Sequence, residues 1–527
     1  MNTFNVIAIG GTGMRCAESL VYLCAMGMFD DTVVNLLALD TDQANGNFQR
    51  LQNLIGNYNR ITSDRDEVAS NTLFSAKINY FTFSPDYKEG TDYDDVARYT
   101  DANSKIHDDD GVKWKESDIA ELFLTPEMRS MDLQHGYRAQ TQMGSMLMYH
   151  AIKEEAYKVK YGDNSNNNNT LTKFIDILME GDQTVFLFGS VFGGTGASSI
   201  PILPRALNEA AKILSKDGHG DVLSNNYFGT VMLTNYFSFE APGKNNEVVA
   251  TSDKFALNSQ AALSFYLEDS TVQATYKRLY LLGRENMRNI TGENCMSTTG
   301  GKFQKNPVDY MELAAASAAY DFFKSAKANK FGSEAEVYYR SMAPDERDCL
   351  TFESFFGADK DKFTQKCGIM MASAFLFGPQ NFAEDRRKQE SFNTLTPKSV
   401  EDIRYFFRSF YNLDEDNLME NGAGWIKEMQ ESAKQTYKGF LFNEAAYSTT
   451  PKSAVKFNYN NKLFPEGSSY RYDVGWTSSA YSTFRDSFGK RVKLSDTSDK
   501  KVVSKLLRLT YETFTELYAF PVTSSSL

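Results

Sequence analysis

The chain has 527 residues, 42% of them hydrophobic and 24% charged, with a formal net charge of −12 and a pI near 5.1. At roughly 100–200 residues per domain this fits about two to four domains, or two large ones, with enough apolar material for a sizeable core. The acidic balance argues against a general nucleic-acid or anionic-membrane surface, and no apolar run reaches the ~18 residues that a membrane span needs.

The N-terminus, Met1-Asn2-Thr3-Phe4, has no basic stretch before its first apolar run and does not read as a signal peptide. Asn5 to Ile9 is a short apolar strand that ends at Gly10-Gly11-Thr12-Gly13. Ala17, Leu20, Val21, Leu23 and Cys24 follow at helical spacing. A second strand, Val33 to Leu39, ends at Asp40-Thr41-Asp42. Strand, glycine turn, helix and strand form a βαβ unit, so the expected fold is a parallel, doubly wound α/β sheet. The acidic stretch from about 86 to 120 reads as a surface excursion, and the asparagine tract 163–169 as a solvated loop.

Further β-type runs are Thr184 to Phe188, Phe228 to Leu233 and Arg278 to Leu282, with helices between them. An alanine-rich helix is expected from Asn306-Pro307 to Phe323, with proline in its first turn. Beyond about residue 360 the texture changes: Gly368 to Phe377 reads as a buried strand and Val502 to Phe520 as a final helix. The expected organisation is a nucleotide-binding domain over 1–355 and a smaller mixed α+β domain over 356–527.

The cysteines (Cys16, Cys24, Cys295, Cys349 and Cys367) are odd in number and lack C-x-x-C spacing, which argues against a disulfide framework or a structural zinc. A reducing, cytoplasmic setting is expected. His107, His135, His150 and His219 are scattered without an H-E-x-x-H pattern, so histidine-based zinc catalysis is not expected.

Two strand-to-helix turns are glycine-rich: Gly10-Gly11-Thr12-Gly13-Met14-Arg15, and Gly193-Gly194-Thr195-Gly196-Ala197-Ser198 after Phe188. Glycine lets backbone amides approach a phosphate closely, and a helix N-terminus adds free N–H groups and partial positive charge. One such turn is weak evidence, but a pair suits a ligand with several phosphates. A dinucleotide-binding oxidoreductase competes: Asp40 could hold a ribose, although Gly11-Thr12-Gly13-Met14-Arg15-Cys16 lacks the third glycine of G-x-G-x-x-G. No G-x-x-x-x-G-K-[ST] string occurs, which excludes a P-loop.

The second turn, with Phe186 to Ser190 before it and Ser199-Ile200-Pro201 after it, resembles the signature loop of the tubulin/FtsZ superfamily. Gly10 to Arg15 resembles that family's first nucleotide loop, and Leu39-Asp40-Thr41-Asp42-Gln43 its second, where Asp42 would help hold Mg²⁺ through water. His135-Gly136-Tyr137-Arg138-Ala139-Gln140-Thr141-Gln142 resembles the third, and Gln142 stands where the family usually carries glutamate. Thr234 to Glu240 resembles the strand end after the signature loop. The motifs come in the family's order over roughly residues 4–330 and are closest to its divergent bacterial tubulin-like members.

The resemblance implies GTP or GDP with Mg²⁺, bound by Gly10, Gly11, Thr12, Gly13, Met14, Arg15, Asp40, Asp42, Gly136, Arg138, Gln142, Gly193, Gly194, Thr195, Gly196 and Ala197. At the start of the central helix Asn306 or Asp309 would meet the base edge and Tyr310 would stack on it, although Asn306 as a plain N-cap and Tyr310 as a packing residue fit equally. It also implies head-to-tail self-association, with hydrolysis completed by acidic residues of the next subunit. Two segments compete for that role: Asn306 to Glu312, and Asp345 to Glu353, which chain order favours and which offers Asp348 and Glu353. A nucleotide-binding scaffold without turnover is the alternative.

Overall fold

The computed structural model describes residues 2–96, 122–162, 170–215, 220–238, 252–290, 304–340, 344, 348–377, 396–412, 424–440, 450–451, 486–492 and 501–519, apart from 43, 66–67, 86, 89, 134–136, 138–139, 285, 305 and 438. Most of the 86–120 excursion and the asparagine tract therefore lie outside the described residues.

A seven-stranded parallel sheet organises the N-terminal part. Its strands are β1 (Asn2–Ile9), β2 (Thr32–Leu39), β3 (Lys77–Phe83), β4 (Gln183–Ser190), β5 (Asn226–Leu233), β6 (Tyr276–Leu282) and β7 (Glu336–Arg340). Their spatial order is β3-β2-β1-β4-β5-β6-β7. Central strands such as β1 and β4 are continuous apolar runs because both faces are covered. Side-chain alternation divides them between two cores. Val6, Ala8, Phe186 and Phe188 enter one, while Ile7, Ile9, Val185 and Leu187 enter the other.

Helices cover both faces: α1 (Gly10–Met26), α2 (Gly46–Ile61), α3 (Thr141–Lys160), α4 (Leu171–Met179), α5 (Gly194–Ser199), α6 (Leu203–Leu214), α7 (Phe255–Glu268), α8 (Ser270–Thr275) and α9 (Tyr310–Lys327). α9 is the central helix. It is buried nearly all round, with Ala314, Ala315, Ala316, Ala318 and Ala319 letting its backbone lie close to α1, β4 and β5. It starts at Tyr310, and its N-cap is Asp309, whose carboxylate accepts from Met311 N at 3.1 Å. The expected start at Asn306-Pro307 is therefore corrected: the side chain that caps the helix sits three residues further on.

The C-terminal part adds α10 (Lys360–Phe377), α11 (Pro397–Phe410), α12 (Trp425–Lys434) and α13 (Val502–Leu517). Gly368 to Phe377 is helix, not the expected buried strand. This unbroken apolar run gives no periodicity to separate the two; the segment packs against α1, α11 and α13, so it is apolar on several sides. Apolar packing is continuous across residue 355: Tyr22 of α1 contacts Phe406, Phe410 and Trp425, and Trp425 donates to Ser19 at 3.2 Å. Described strand in this part is limited to two-residue pairings such as Cys349–Leu350 with Gly439–Phe440. Among the described residues no helix is long and apolar enough to cross a membrane.

Candidate functional site

The chain leaves β1 for β2 on one side, and β4 takes up the other side of β1. The β1/β4 crevice is therefore the topological switch point, where open α/β sheets bind ligands outside the carboxyl ends of their strands. Both glycine turns open there. β1 runs directly into α1 at Gly10, and β4 runs through 191–193 into α5.

The turns touch each other. A β-carbon on Gly10 would lie 3.3 Å from Thr195 Cβ and 3.8 Å from Gly196 N. Gly10 also has φ +65°, a left-handed conformation that suits glycine. Gly13 and Gly196 are fixed by close backbone approach: their β-carbons would fall 2.7 Å from Phe188 O and 2.5 Å from Ser190 O. Neither helix has a side-chain cap, because Ile9 and Gly193 occupy the N-cap positions. First-turn N–H groups of both helices are thus left for an acceptor from outside. Gly11, Thr12, Gly193, Gly194 and Thr195 are partly exposed.

The second turn is braced from behind. Tyr266 donates to Ala197 O at 2.6 Å, Tyr276 to Ile200 O at 2.5 Å and Ser145 of α3 to Ser198 O at 2.7 Å. Gln142 is exposed in the first turn of α3, while Gly136 and Arg138 lie outside the described residues.

Asp40 and Asp42 stand at the carboxyl end of β2, next to β1, and both are buried. Asp40 Oδ1 faces the Asp42 amide at 3.4 Å, and its Oδ2 has no hydrogen-bond partner. Burial, then the neighbouring Asp42 charge, pushes the Asp40 carboxyl up to about 7. Beside them is a cluster that the sequence did not single out. Asn45 caps α2 by accepting from Asn47 N at 2.9 Å, and its amide reaches Gln304 at 2.5 Å. Asn47 accepts from Asn306 N at 3.1 Å. A β-carbon on Gly11 would meet the Asn47 and Asn45 amides at 3.2 and 3.5 Å. Asn306 is thereby brought to the first glycine turn. The signal for this was Asn45-Gly46-Asn47, which begins three residues after Asp42.

Met14 and Arg15 point inward. Arg15 is 1% exposed and pairs with Glu18 and, at 3.1 Å, with Glu312 of α9. Burial alone would lower the Arg15 pKa; Glu18 and Glu312 outweigh it and hold the guanidinium charged. Burial pushes Glu312 up to about 7 against the opposing pull of Arg15. Asp309 is likewise interior, with Arg284 at 3.0 Å and Ser432 of α12 at 2.5 Å. Tyr310 is fully buried, with the Arg284 guanidinium 4.8 Å from its ring centre.

Glu312 meets Arg15 near the glycine turns, whereas Phe323 packs on Phe4 near the start of β1, with ring centres 5.0 Å apart. The central helix thus spans the depth of the sheet, and these two residues are ~16 Å apart along it at 1.5 Å per residue. Phe356 contacts Tyr320, and Asp359 pairs with Lys324, at the far end of the same helix. Glu353 belongs to that far segment, whereas Asp348 precedes Cys349–Leu350, which pairs with Gly439–Phe440, just beyond Tyr437, whose ring lies 6.1 Å from that of Tyr310 at the start of α9. Asp348 and Glu353 are both exposed, and Lys360 donates to Glu353 at 2.5 Å. Asp345 lies outside the described residues. Among the described residues no group of three or more histidine, cysteine or acidic side chains could hold a metal by itself.

No family model and no curated protein sequence matches the chain. Among solved structures it matches TubZ from the Clostridium botulinum phage c-st, in a form truncated at its C-terminal tail, at 12% identity with a TM-score of 0.21. The match covers 54% of this chain and 54% of TubZ, so the chain spans about half the length of that protein.

Proposed function

We propose that the chain is a divergent tubulin/FtsZ-like protein that binds a guanine nucleotide with Mg²⁺. The observation that carries phosphate binding is the meeting of two uncapped glycine turns at the β1/β4 switch point. Guanine is supported by the order of the motifs along the sequence.

In this reading the amides of Gly10, Gly11, Thr12 and Gly13 cradle one part of the phosphate chain, and those of Gly193, Gly194, Thr195, Gly196 and Ala197 the other. Met14 and Arg15 act through their backbone. The buried Arg15, Glu18 and Glu312 charges fix α1 against α9, which sets the angle of the first turn. Asn306 stands close enough to the first turn to address the sugar or base, while Asp309 and Tyr310 hold the start of α9 from behind.

Asp40 and Asp42 fit a divalent cation. Mg²⁺ commonly takes one or two carboxylates, keeps several waters and bridges phosphates. The partnerless Asp40 Oδ2 is an acceptor in need of such a partner. When bound, the ion would neutralise phosphate charge next to two acids.

Glu353, in the segment beside Tyr320 and Lys324, stands toward the end of the central helix opposite the glycine turns. In this reading Asp348 and Glu353 act on the nucleotide of a second copy, which fits head-to-tail assembly and a heterologous interface. Sedimentation with GTP tests assembly, and loss of phosphate release with Asp348→Ala or Glu353→Ala tests turnover. Assembly without phosphate release would favour a scaffold. Asp40 at the end of β2 favours a second reading, an NAD(P)-binding protein that reads a ribose hydroxyl there. Nucleotide extracted from the purified chain by denaturation separates them: GDP or GTP supports the first reading, and NAD(P) overturns it.

A further inference from the structure

We infer that β7 is an interface between two copies of this chain, which join edge to edge through antiparallel β7 strands about a two-fold axis at Tyr338. β7 ends one side of the seven-stranded sheet, and among the described residues no strand pairs with its outer side. Such an edge presents unused N–H and C=O groups to another chain.

The edge is held in place and left unguarded. Arg278 of β6 is 4% exposed. It donates to Glu336 Oε2 through Nε at 2.9 Å and Nη2 at 2.6 Å, and its guanidinium lies 4.6 Å from the Tyr338 ring centre. Tyr338 also stacks on Tyr280, with ring centres 5.5 Å apart. β7 keeps an unbroken parallel register with β6 and carries no proline, lysine or bulge, devices that commonly keep edges apart. The opposite edge of the sheet is covered instead: Thr82 of β3 exchanges two hydrogen bonds with Thr170, each of 2.9 Å. Both faces of β7 are open to solvent, with Val337 and Tyr339 50% and 77% exposed on one and Tyr338 40% exposed on the other.

The sequence of β7 selects a second copy as the occupant. A two-fold axis normal to a sheet keeps every residue on its own face, so the axis must fall on a residue and not between two. Placed on Tyr338, it pairs the whole of Glu336-Val337-Tyr338-Tyr339-Arg340 with itself. Val337 then meets Tyr339 of the second copy, and the Glu336 position meets the Arg340 position at both ends. Placed on Val337 or Tyr339, the axis shortens the overlap and loses both opposite-charge pairs. Opposite charges directly across two strands favour pairing, and like charges oppose it. Glu336 accepts from Arg278 and Tyr338 through Oε2, which leaves Oε1 for a guanidinium across the axis. The contact is isologous and closed, so it uses a different surface and symmetry from a head-to-tail contact.

The test is oxidative cross-linking of the full chain without added nucleotide, with single cysteines on β7. Directly opposed residues have Cα atoms about 4.5–5.5 Å apart, within reach of a disulfide, whereas diagonal neighbours lie about 7–8 Å apart. Tyr338→Cys should form a linked dimer at least tenfold faster than Val337→Cys or Tyr339→Cys alone. An equimolar mixture of the latter two should link as mixed dimers, which keeps the test available if Tyr338→Cys fails to fold. Wild type sets the background, since Cys16, Cys24, Cys349 and Cys367 are buried. In sedimentation equilibrium the reduced wild type should dimerise, and Tyr339→Lys should weaken the dimer tenfold or more without changing thermal melting. The inference is overturned by a wild type that stays monomeric with no linking above background, by equal linking in all three single variants, by a mixture that links no faster than its components, or by a dimer that Tyr339→Lys leaves intact.

Discussion

Asp40→Asn is the most informative single perturbation of the candidate site. Burial raises the Asp40 pKa from the ordinary 3.8 to about 7. Between those values the native state holds a proton that the unfolded chain has released. Stability contributed by this group is therefore complete below pH ~4 and is lost as pH rises through about 7. The displacement corresponds to about 4 kcal/mol at ~1.4 kcal/mol per tenfold change in proton affinity. Asparagine removes that penalty but leaves a buried N–H₂ without an acceptor, which costs about 1–3 kcal/mol. The expected net result is a variant within ~1 kcal/mol of, or below, wild type at pH 4 and about 1–3 kcal/mol more stable at pH 8. Urea titrations of the ligand-free protein at both pH values measure this. With Mg²⁺ and nucleotide present the order should reverse, because only the carboxylate gains a cation. Parallel pH profiles for the two proteins, or a variant less stable at pH 8 without ligand, would refute the reasoning.

Gly196→Ala places a methyl 2.5 Å from Ser190 O, so overpacking should cost about 1–3 kcal/mol; Gly193→Ala meets only the rotatable Ser190 hydroxyl at 3.2 Å and should stay within ~0.5 kcal/mol by thermal melting. Arg15→Met leaves the buried Glu312 carboxylate without its ion pair, while Glu18 keeps Arg50 at 3.0 Å; it should lose about 3–5 kcal/mol, and adding Glu312→Gln should recover part of it in the same denaturant assay. Trp425→Ala removes a fully buried ring that packs on Tyr22 and Phe410 and should cost about 3–5 kcal/mol. Circular dichroism and a probe on α1 should then show one shared transition, whereas two separate transitions would deny that the C-terminal helices complete the core.

The parts of the fold that were legible in the sequence are those whose local pattern matches their burial. β1, β2, β4, β5 and β6 are apolar runs because they lie inside the sheet. β3 and β7 were missed because they are edge strands. Asn79, Tyr80 and Thr82 interrupt the first, and in the second Val337 and Tyr339 are 50% and 77% exposed. The glycine turns were visible one at a time. Their contact depends on β4 returning beside β1, which no local pattern encodes. Arg15 was legible only in part: it follows a phosphate-type turn in sequence, but its side chain faces α9, where it pairs with Glu312. Asp309 was offered with Asn306 as a base contact; its neighbours Arg284 and Ser432 come from distant segments that no sequence spacing could reveal.

The account rests on phosphates seated between Gly10–Gly13 and Gly193–Ser198. Calorimetric titration of the full chain and of Gly193→Val with Mg²⁺-GTP, and separately with NAD, tests this most directly. Gly193 has an ordinary φ of −92°, so the variant should fold while bulk enters the second turn. The account predicts one saturable GTP site, weakened at least tenfold by Gly193→Val, and no NAD binding. Tight NAD binding unaffected by Gly193→Val, or equal GTP affinity in both proteins, would contradict it.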